Sequence, residues 1–396
     1  MTLPLPLLLA LLSAIAPLAI DMYLPAMAQM AGSLDSDIHH VELSVSTFLL
    51  GFAIGQITGG PLSDRYGRKP IIITGLTIFA IASLTLSMTT SLSGLLILRA
   101  IEAIGGGLAT VNSTAIVRDR FEGKDIAKVL SMVAMIMMTA PLVAPMLGSL
   151  IVSFSNWRSI FMLLSVYSAF VMILLVWLLP ESHPPHRRSR AKPWVGYGVV
   201  LRHKVARRFI LTLACAYSGM FIFITASPYL YLDYFEQSAA QFPWLFGANV
   251  VVIMMVNRIN MLLLNRFKPI DLITTGISIQ VVMGCILLTL SRYFPDAFTL
   301  WTVLPLMMAY VGALGLISAN SMATVLQYFR DVAGSATALI GVVQFCGGAA
   351  FGLLWGQLHD NTPVPMMAMM FLSAFCAFVA LMAARYSREI YEAPAT

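Results

Sequence analysis

The sequence predicts an all-α membrane protein with twelve transmembrane helices in two pseudo-symmetric six-helix bundles. Three observations predict it. Of 396 residues, 59% are hydrophobic and 11% charged, against roughly 25% charged in ordinary soluble domains. Twelve apolar runs of spanning length fill the chain. Two of the polar joints between those runs recur, in the same residue order, after about 200 residues.

The composition excludes a soluble fold, because a single core cannot bury this apolar excess. A bilayer can, and a spanning helix needs about 20 mostly apolar residues. Twelve helices with short connections leave no room for a soluble domain. The opening stretch MTLPLPLLLALLSAIAPLAI is leader-like, but it has no basic head and no small-residue cleavage site, so it is expected to be the first span. Cys215, Cys285, Cys346 and Cys376 all lie in apolar runs. They are expected to be small apolar fillers. No disulfide, metal or cofactor is expected.

The expected spans cover 3–27, 40–62, 70–91, 93–117, 126–152, 157–179, 207–232, 241–264, 269–291, 297–326, 333–357 and 363–386. With both termini cytoplasmic, 21 of the 24 basic residues fall on or near the cytoplasmic side. They include Arg65, Arg68, Lys69, Arg118, Arg120 and Lys128, and Arg187, Arg188, Arg190 and Lys192 in the central stretch. Arg330 and Arg388 lie on the same side. The positive-inside rule needs far less bias. The net charge of +6 is therefore a topology signal, and no nucleic-acid partner is expected.

The segment ESHPPHRRSRAKPW is the only long polar stretch. It divides the chain into an N-terminal bundle (1–180), a cytoplasmic linker (181–206) and a C-terminal bundle (207–396). Leu62-Ser63-Asp64-Arg65-Tyr66-Gly67-Arg68-Lys69-Pro70-Ile71 is echoed by Leu264-Asn265-Arg266-Phe267-Lys268-Pro269-Ile270, and Val117-Arg118-Asp119 by Phe329-Arg330-Asp331. Parallel repeats of this kind are a transporter architecture with the substrate site near mid-membrane.

Asp21, Arg99 and Glu102 lie well inside expected spans. A charge at the centre of a membrane helix costs roughly 2.5–3.5 kcal/mol on insertion scales. Burial disfavours the charged form of a carboxylate, which suits a group that takes up and releases protons. Pro17, Asp21 and Pro25 share one helix face. Arg99 and Glu102, three apart, can pair, either as a charge switch or as a fixed ion pair. Arg258 can snorkel from its helix end. Tyr217 and Phe221, with the other aromatics of span 7 and the 25 methionines, are candidates for a permissive substrate cavity. Glycine rows on span 2 (Gly51, Gly55, Gly59) and span 11 (Gly348, Gly352, Gly356), and the Ala140-Ala144-Gly148 row on span 5, allow close helix approach. The expected pairs are span 2 with span 11 and span 5 with span 8.

Gly60-Pro61-Leu62-Ser63-Asp64-Arg65-Tyr66-Gly67-Arg68-Lys69 resembles the loop signature between spans 2 and 3 of the major facilitator superfamily. Arg99 sits where the drug:proton antiporter branch has an intramembrane arginine, and Ala144-Pro145-Met146-Leu147-Gly148-Ser149 resembles that branch's span 5 motif. Ile20-Asp21-Met22-Tyr23-Leu24-Pro25-Ala26 and Ala140-Pro141 are similar to the bicyclomycin- and chloramphenicol-resistance subfamily. The resemblance covers the whole chain, and its specific motifs lie mostly in the first half. It implies a bacterial inner-membrane exporter, taken as a monomer, that exchanges protons for small amphipathic molecules by alternating access.

It also implies a conformational latch made of Gly60, Asp64, Arg65, Gly67, Arg68 and Arg118. In that latch Asp64 pairs with Arg118 and meets the start of span 11. Gly60 and Gly67 would permit the tight turn, and Asp64 would approach a helix N-terminus. The chain departs from the branch at Glu102 and Ala103, where Gln and Gly are usual, and at Ala144 and Ser149, where Gly is usual. An exporter of an endogenous metabolite is the alternative. A membrane enzyme would need clustered acidic ligands, and Asp35/Asp37 and Asp119/Asp125 do not form such a motif. A receptor would leave Asp21, Arg99 and Glu102 without a use. No P-loop is present, so ATP does not drive transport directly.

Overall fold

The computed structural model describes residues 5–121, 124–183, 195–329 and 333–386. Arg187, Arg188, Arg190, Lys192, Arg330, Asp331 and Arg388 lie outside the described residues. Among those described, twelve helices are long and apolar enough to cross a membrane. They are α1 (Leu5–Ser33), α2 (Ile38–Tyr66), α3 (Arg68–Leu86), α4 (Leu92–Arg120), α5 (Lys128–Phe154), α6 (Arg158–Leu178), α7 (Lys204–Tyr234), α8 (Phe242–Leu263), α9 (Pro269–Tyr293), α10 (Leu300–Leu326), α11 (Ala333–Leu358) and α12 (Val364–Arg385). Each matches an expected span, and no strand occurs among the described residues. Large apolar side chains face outward, as lipid contact requires: Phe154 is 85% exposed and Trp177 83%.

Local chemistry sets the helix starts. The Asp37 side chain accepts from His40 N at 2.9 Å to cap α2, and Ser91 accepts from Gly94 N at 3.2 Å to cap α4. Each satisfies an amide that has no partner in the first turn. A reciprocal Thr299–Thr302 box opens α10. The first helix is interrupted. It is α-helical over Leu5–Asp21, passes through a 3-10 turn at Leu24–Ala26 and resumes over Met27–Ser33. Pro25 lacks the amide needed to continue the ladder. The resumed turn extends the span beyond its expected end at 27, because Met27 and Met30 are buried and Trp157 donates to Gln29 and Ser33.

The chain forms two compact units. One comprises Met1–Lys192 with Ser227–Phe246, and the other Pro193–Ala226 with Gly247–Thr396. The division therefore runs through α7, near the change from α-helix to a π-helical end over Tyr229–Tyr234. In the first unit α4 is central. The α2 row Gly51, Gly55 and Gly59 lies on Ala100, Ile104 and Leu108 of α4. A Cβ on Gly75 of α3 would lie 2.6 Å from the Gly105 carbonyl oxygen of α4. The expectation that the α2 row faces span 11 is thus corrected: α4 occupies that face. Gly148 of the α5 row lies on Met22 and Pro25 of α1, and Gly348 of α11 lies on Phe221 of α7. In the second unit α9 packs on α10 and α12. Tyr310 donates to Met370 O at 2.7 Å, and Asn320 donates to Asn260 Oδ1 at 2.7 Å.

Candidate functional site

The break in α1 creates the site. The last carbonyls of its first segment have no intrahelical partner, and Arg99 Nη2 of α4 donates to one of them, Ala19 O, at 3.0 Å. A cation at a helix C-terminus also meets the negative end of the dipole. Arg99 is fully buried. Its Nη1 lies 2.5 Å from Glu102 Oε2, and the other Glu102 oxygen accepts from Ser83 of α3 at 2.7 Å. The guanidinium carbon lies 4.4 Å from the Tyr23 ring centroid and 4.3 Å from that of Phe48, with Phe161 at 5.7 Å. Tyr23 is held in turn by Ser44 at 2.8 Å. The positive charge is thus met by a carboxylate, a carbonyl and three π faces.

Asp21 ends the first segment of α1 and is 3% exposed. Its Oδ1 has no hydrogen-bond partner among the described residues. Glu102, by contrast, is satisfied at both oxygens. Gly148 of α5 closes the back of the break. A Cβ there would collide with the Met22 carbonyl oxygen and come within 3.3 Å of Pro25 Cγ. The Ala144-Pro145-Gly148 motif and the segment that carries Asp21 are therefore one packing unit.

A second polar cluster ties α2, α3, α4 and the end of α6. Arg68 bonds Asp64 Oδ1 at 2.6 Å, Ser63 Oγ at 2.6 Å and Asp119 Oδ2 at 3.3 Å. Glu181 accepts from the backbone amides of Arg68 at 3.0 Å and Lys69 at 3.2 Å. Arg120 donates to the carbonyls of Pro180 and Glu181, both at 3.0 Å.

Residues 9–352 match the family model of the Major Facilitator Superfamily. The chain belongs to that superfamily. It is 29% identical to a bicyclomycin resistance protein homolog of Haemophilus influenzae, over 95% of this chain and 94% of that protein. It is 30% identical to the multidrug resistance protein MdtL of Citrobacter koseri, over 84% and 83%. A crystal structure of a D-xylose–proton symporter superposes with a TM-score of 0.71 over 96% of both chains at 16% identity, which shows the same fold.

The major facilitator loop signature has a specific geometry here. Its turn is a single residue, Gly67, with φ 104°, a conformation open to glycine and strained for other residues. Gly60, expected in the turn, is instead helical, and α2 runs through it and Pro61 to Tyr66. Asp64 pairs with Arg68 and not with the expected Arg118, which is exposed. The carboxylate at the α3 N-terminus is Glu181. Arg65 is exposed and lies over the Tyr66 ring at 5.4 Å. Arg258 is exposed, as snorkelling requires. Tyr217 and Phe221 belong to the second unit. Phe221 is buried with Phe345 at 5.4 Å and lies on Gly348, so its ring fills the packing of that unit.

Sequence reasoning missed Glu181 and Asp119, whose roles need partners far away in the chain. It also missed His39 and Glu42 of α2. Both are buried, with Nδ1 and Oε2 3.6 Å apart, and Glu42 Oε1 accepts from Tyr229 N at 2.9 Å. The expected start of the span at 40 left His39 outside and Glu42 in a wet first turn. The acidic-polar spacing of His39 and Glu42 ahead of an apolar run was the available signal.

Proposed function

We propose that this major facilitator protein is a proton-coupled exporter of small amphipathic molecules. It acts as a drug/proton antiporter of the bacterial inner membrane, with both termini cytoplasmic and a six-helix domain on either side of the central linker. The observation that carries the proposal is Asp21. A buried carboxylate with an unpartnered oxygen sits at a helix break, two residues beyond the carbonyl held by Arg99, an arginine that already has its own counter-ion. Glu102 neutralises Arg99, so Asp21 is free to exchange a proton without leaving the arginine uncompensated. A substrate group and a proton competing for Asp21 would couple the two fluxes, since whichever binds excludes the other. The relatives named for bicyclomycin and multidrug resistance support the substrate class.

Everted vesicles that hold an acid interior provide the test. Bicyclomycin, or a cationic drug from a susceptibility panel, should dissipate the pH gradient when the protein is present, and Asp21→Asn should abolish that dissipation. Drug uptake with no proton release would overturn antiport.

A further inference from the structure

The first unit holds another buried ionisable pair, near the start of α2. His39 is 3% exposed and Glu42 is fully buried, with Nδ1 and Oε2 3.6 Å apart. Glu42 Oε1 accepts from Tyr229 N at 2.9 Å, and the His39 and Tyr229 ring centroids lie 4.5 Å apart. Tyr229 opens the π-helical end of α7, which belongs to the same unit. Turns of this kind are frequent at functional sites.

The pair is part of a polar track. His39, Glu42 and Ser46 are spaced i, i+3, i+7 and share one face of α2, over roughly 10 Å of its axis. Ser46 is buried, and its Oγ has no hydrogen-bond partner among the described residues. At the other end, His40 and Asp37 pair at 2.8 Å, both about half exposed. The inner end lies within a turn of Ser44, whose hydroxyl meets that of Tyr23 at 2.8 Å. Tyr23 follows Asp21 by two residues. On the α7 segment the other titratable side chains are Tyr231 and Tyr234, with Asp233 and Glu236 exposed. Arg99 and Glu102 of α4 already satisfy each other. A fixed acceptor for the Tyr229 amide needs no charge. A glutamine would serve, without the cost of burying a carboxylate. A histidine beside that carboxylate adds something the amide does not need: a group that gains and loses a proton near neutral pH.

We infer that His39 and Glu42 pass protons from the outer face to Asp21, with the Ser46 hydroxyl at the inner end of the path. The inference rests on the antiport proposed above and on its topology, which puts the start of α2 on the proton-rich side. Asp37 and His40 gather a proton at the surface, and His39 takes it up as imidazolium. Its Nδ1–H bond breaks and an O–H bond forms at Glu42 Oε2, leaving neutral imidazole. Glu42 then gives that proton to the Asp21 carboxylate and returns to the anion. One proton crosses per passage, and the pair ends as it began. His39 and Glu42 thus set the rate of proton entry, whereas Asp21 decides whether export is coupled at all.

The test uses everted vesicles, whose lumen meets the outer face, with a lumenal pH dye and a radiolabelled cationic drug. Two rates are read. Drug uptake driven by an acid lumen needs net proton transfer; drug-for-drug exchange at equal pH on both sides needs none. Glu42→Gln keeps an acceptor for Tyr229 N and cannot carry a proton. It should slow gradient-driven uptake and lumenal alkalinisation fivefold or more, with exchange within twofold of wild type. Glu42→Asp should recover part of the rate, and His39→Gln should repeat the Glu42→Gln pattern. Asp21→Asn abolishes gradient-driven uptake whatever the rate of proton entry. Failure of the Asp21 effect therefore counts against antiport, and failure of the Glu42 effect against the path alone. Wild-type uptake in Glu42→Gln would overturn the path, and so would equal slowing of both rates, which would make Glu42 a structural contact. The wild-type chain supplies a measurement free of variants. Dicyclohexylcarbodiimide attacks protonated carboxyls in apolar surroundings, so it should modify Glu42, and more so as the outer face is acidified. A Glu42 that stays unmodified over that range would overturn the path even if every variant failed to fold.

Discussion

Gly148 of α5 lies directly against the Met22 carbonyl of α1, with no room for a Cβ between them. The one glycine of the span 5 motif is therefore the seat of the broken segment that holds Asp21. Gly148→Ala must push α5 away from α1, at a cost of about 1–3 kcal/mol for overpacking. Thermal unfolding in detergent should show a midpoint several degrees lower, and export should fall with it. Ser149→Gly loses only a hydroxyl bond to Ala239 O and should change the midpoint little. A Gly148→Ala protein with wild-type stability and export would remove the seat.

Asp21→Asn should insert and fold normally, because Oδ1 has no partner to lose. Export driven by a pH gradient should drop tenfold or more. Measuring both in one strain, with membrane yield from a fluorescent fusion and efflux from everted vesicles, separates the two. Undiminished gradient-driven efflux would exclude Asp21 as the proton carrier.

Glu102→Gln should behave differently. It leaves Arg99 buried with a carbonyl and three rings and no anion, and breaking one side of a buried pair costs about 3–5 kcal/mol. The expected result is a large fall in folded yield. The double variant Arg99→Met with Glu102→Leu removes both charges and should recover much of that yield while export stays absent. Wild-type yield and export in Glu102→Gln would show that the pair is not needed.

Glu181→Ala removes the acceptor for two first-turn amides of α3, a loss of about 1 kcal/mol on the scale of helix caps. Amide exchange at Arg68 and Lys69 should quicken while the rest of the first unit is unchanged. Asp64→Asn weakens one contact of the buried Arg68, which keeps Ser63 and Asp119, so the protein should still fold. Cysteine accessibility should shift toward inward-open states. An unchanged accessibility pattern would deny Asp64 a conformational role.

The membrane spans were legible because lipid demands long apolar runs and a basic flank, and both are local properties of the chain. Asp21, Arg99 and Glu102 were legible for the same reason, since a charge amid such runs stands out. Their partners were not, because Ser83 reaches Glu102, and Tyr23 and Phe48 close on Arg99, from three other helices. The glycine rows announced close packing but not its partner: Gly51, Gly55 and Gly59 fit α4 or any other small face equally well on paper. The loop signature offered Gly60 and Gly67 for the turn, of which Gly67 alone turns, and Asp64 meets Arg68 four residues on where Arg118 was expected. Glu181 was hidden for a plainer reason. It heads a polar stretch whose composition suggested a linker, and its binding to α3 crosses more than a hundred residues of chain.

The one-residue joint at Gly67 has a consequence for how the protein is made. Helices of 29 and 19 residues, about 44 and 29 Å long, meet with no slack between them. The second cannot enter the bilayer at an angle of its own choosing; it must follow the first as the return arm of a hairpin. A residue inserted beside Gly67 would leave both helices intact and uncouple that entry, so its cost would appear first at the translocon, in the fraction of chains with the correct number of crossings.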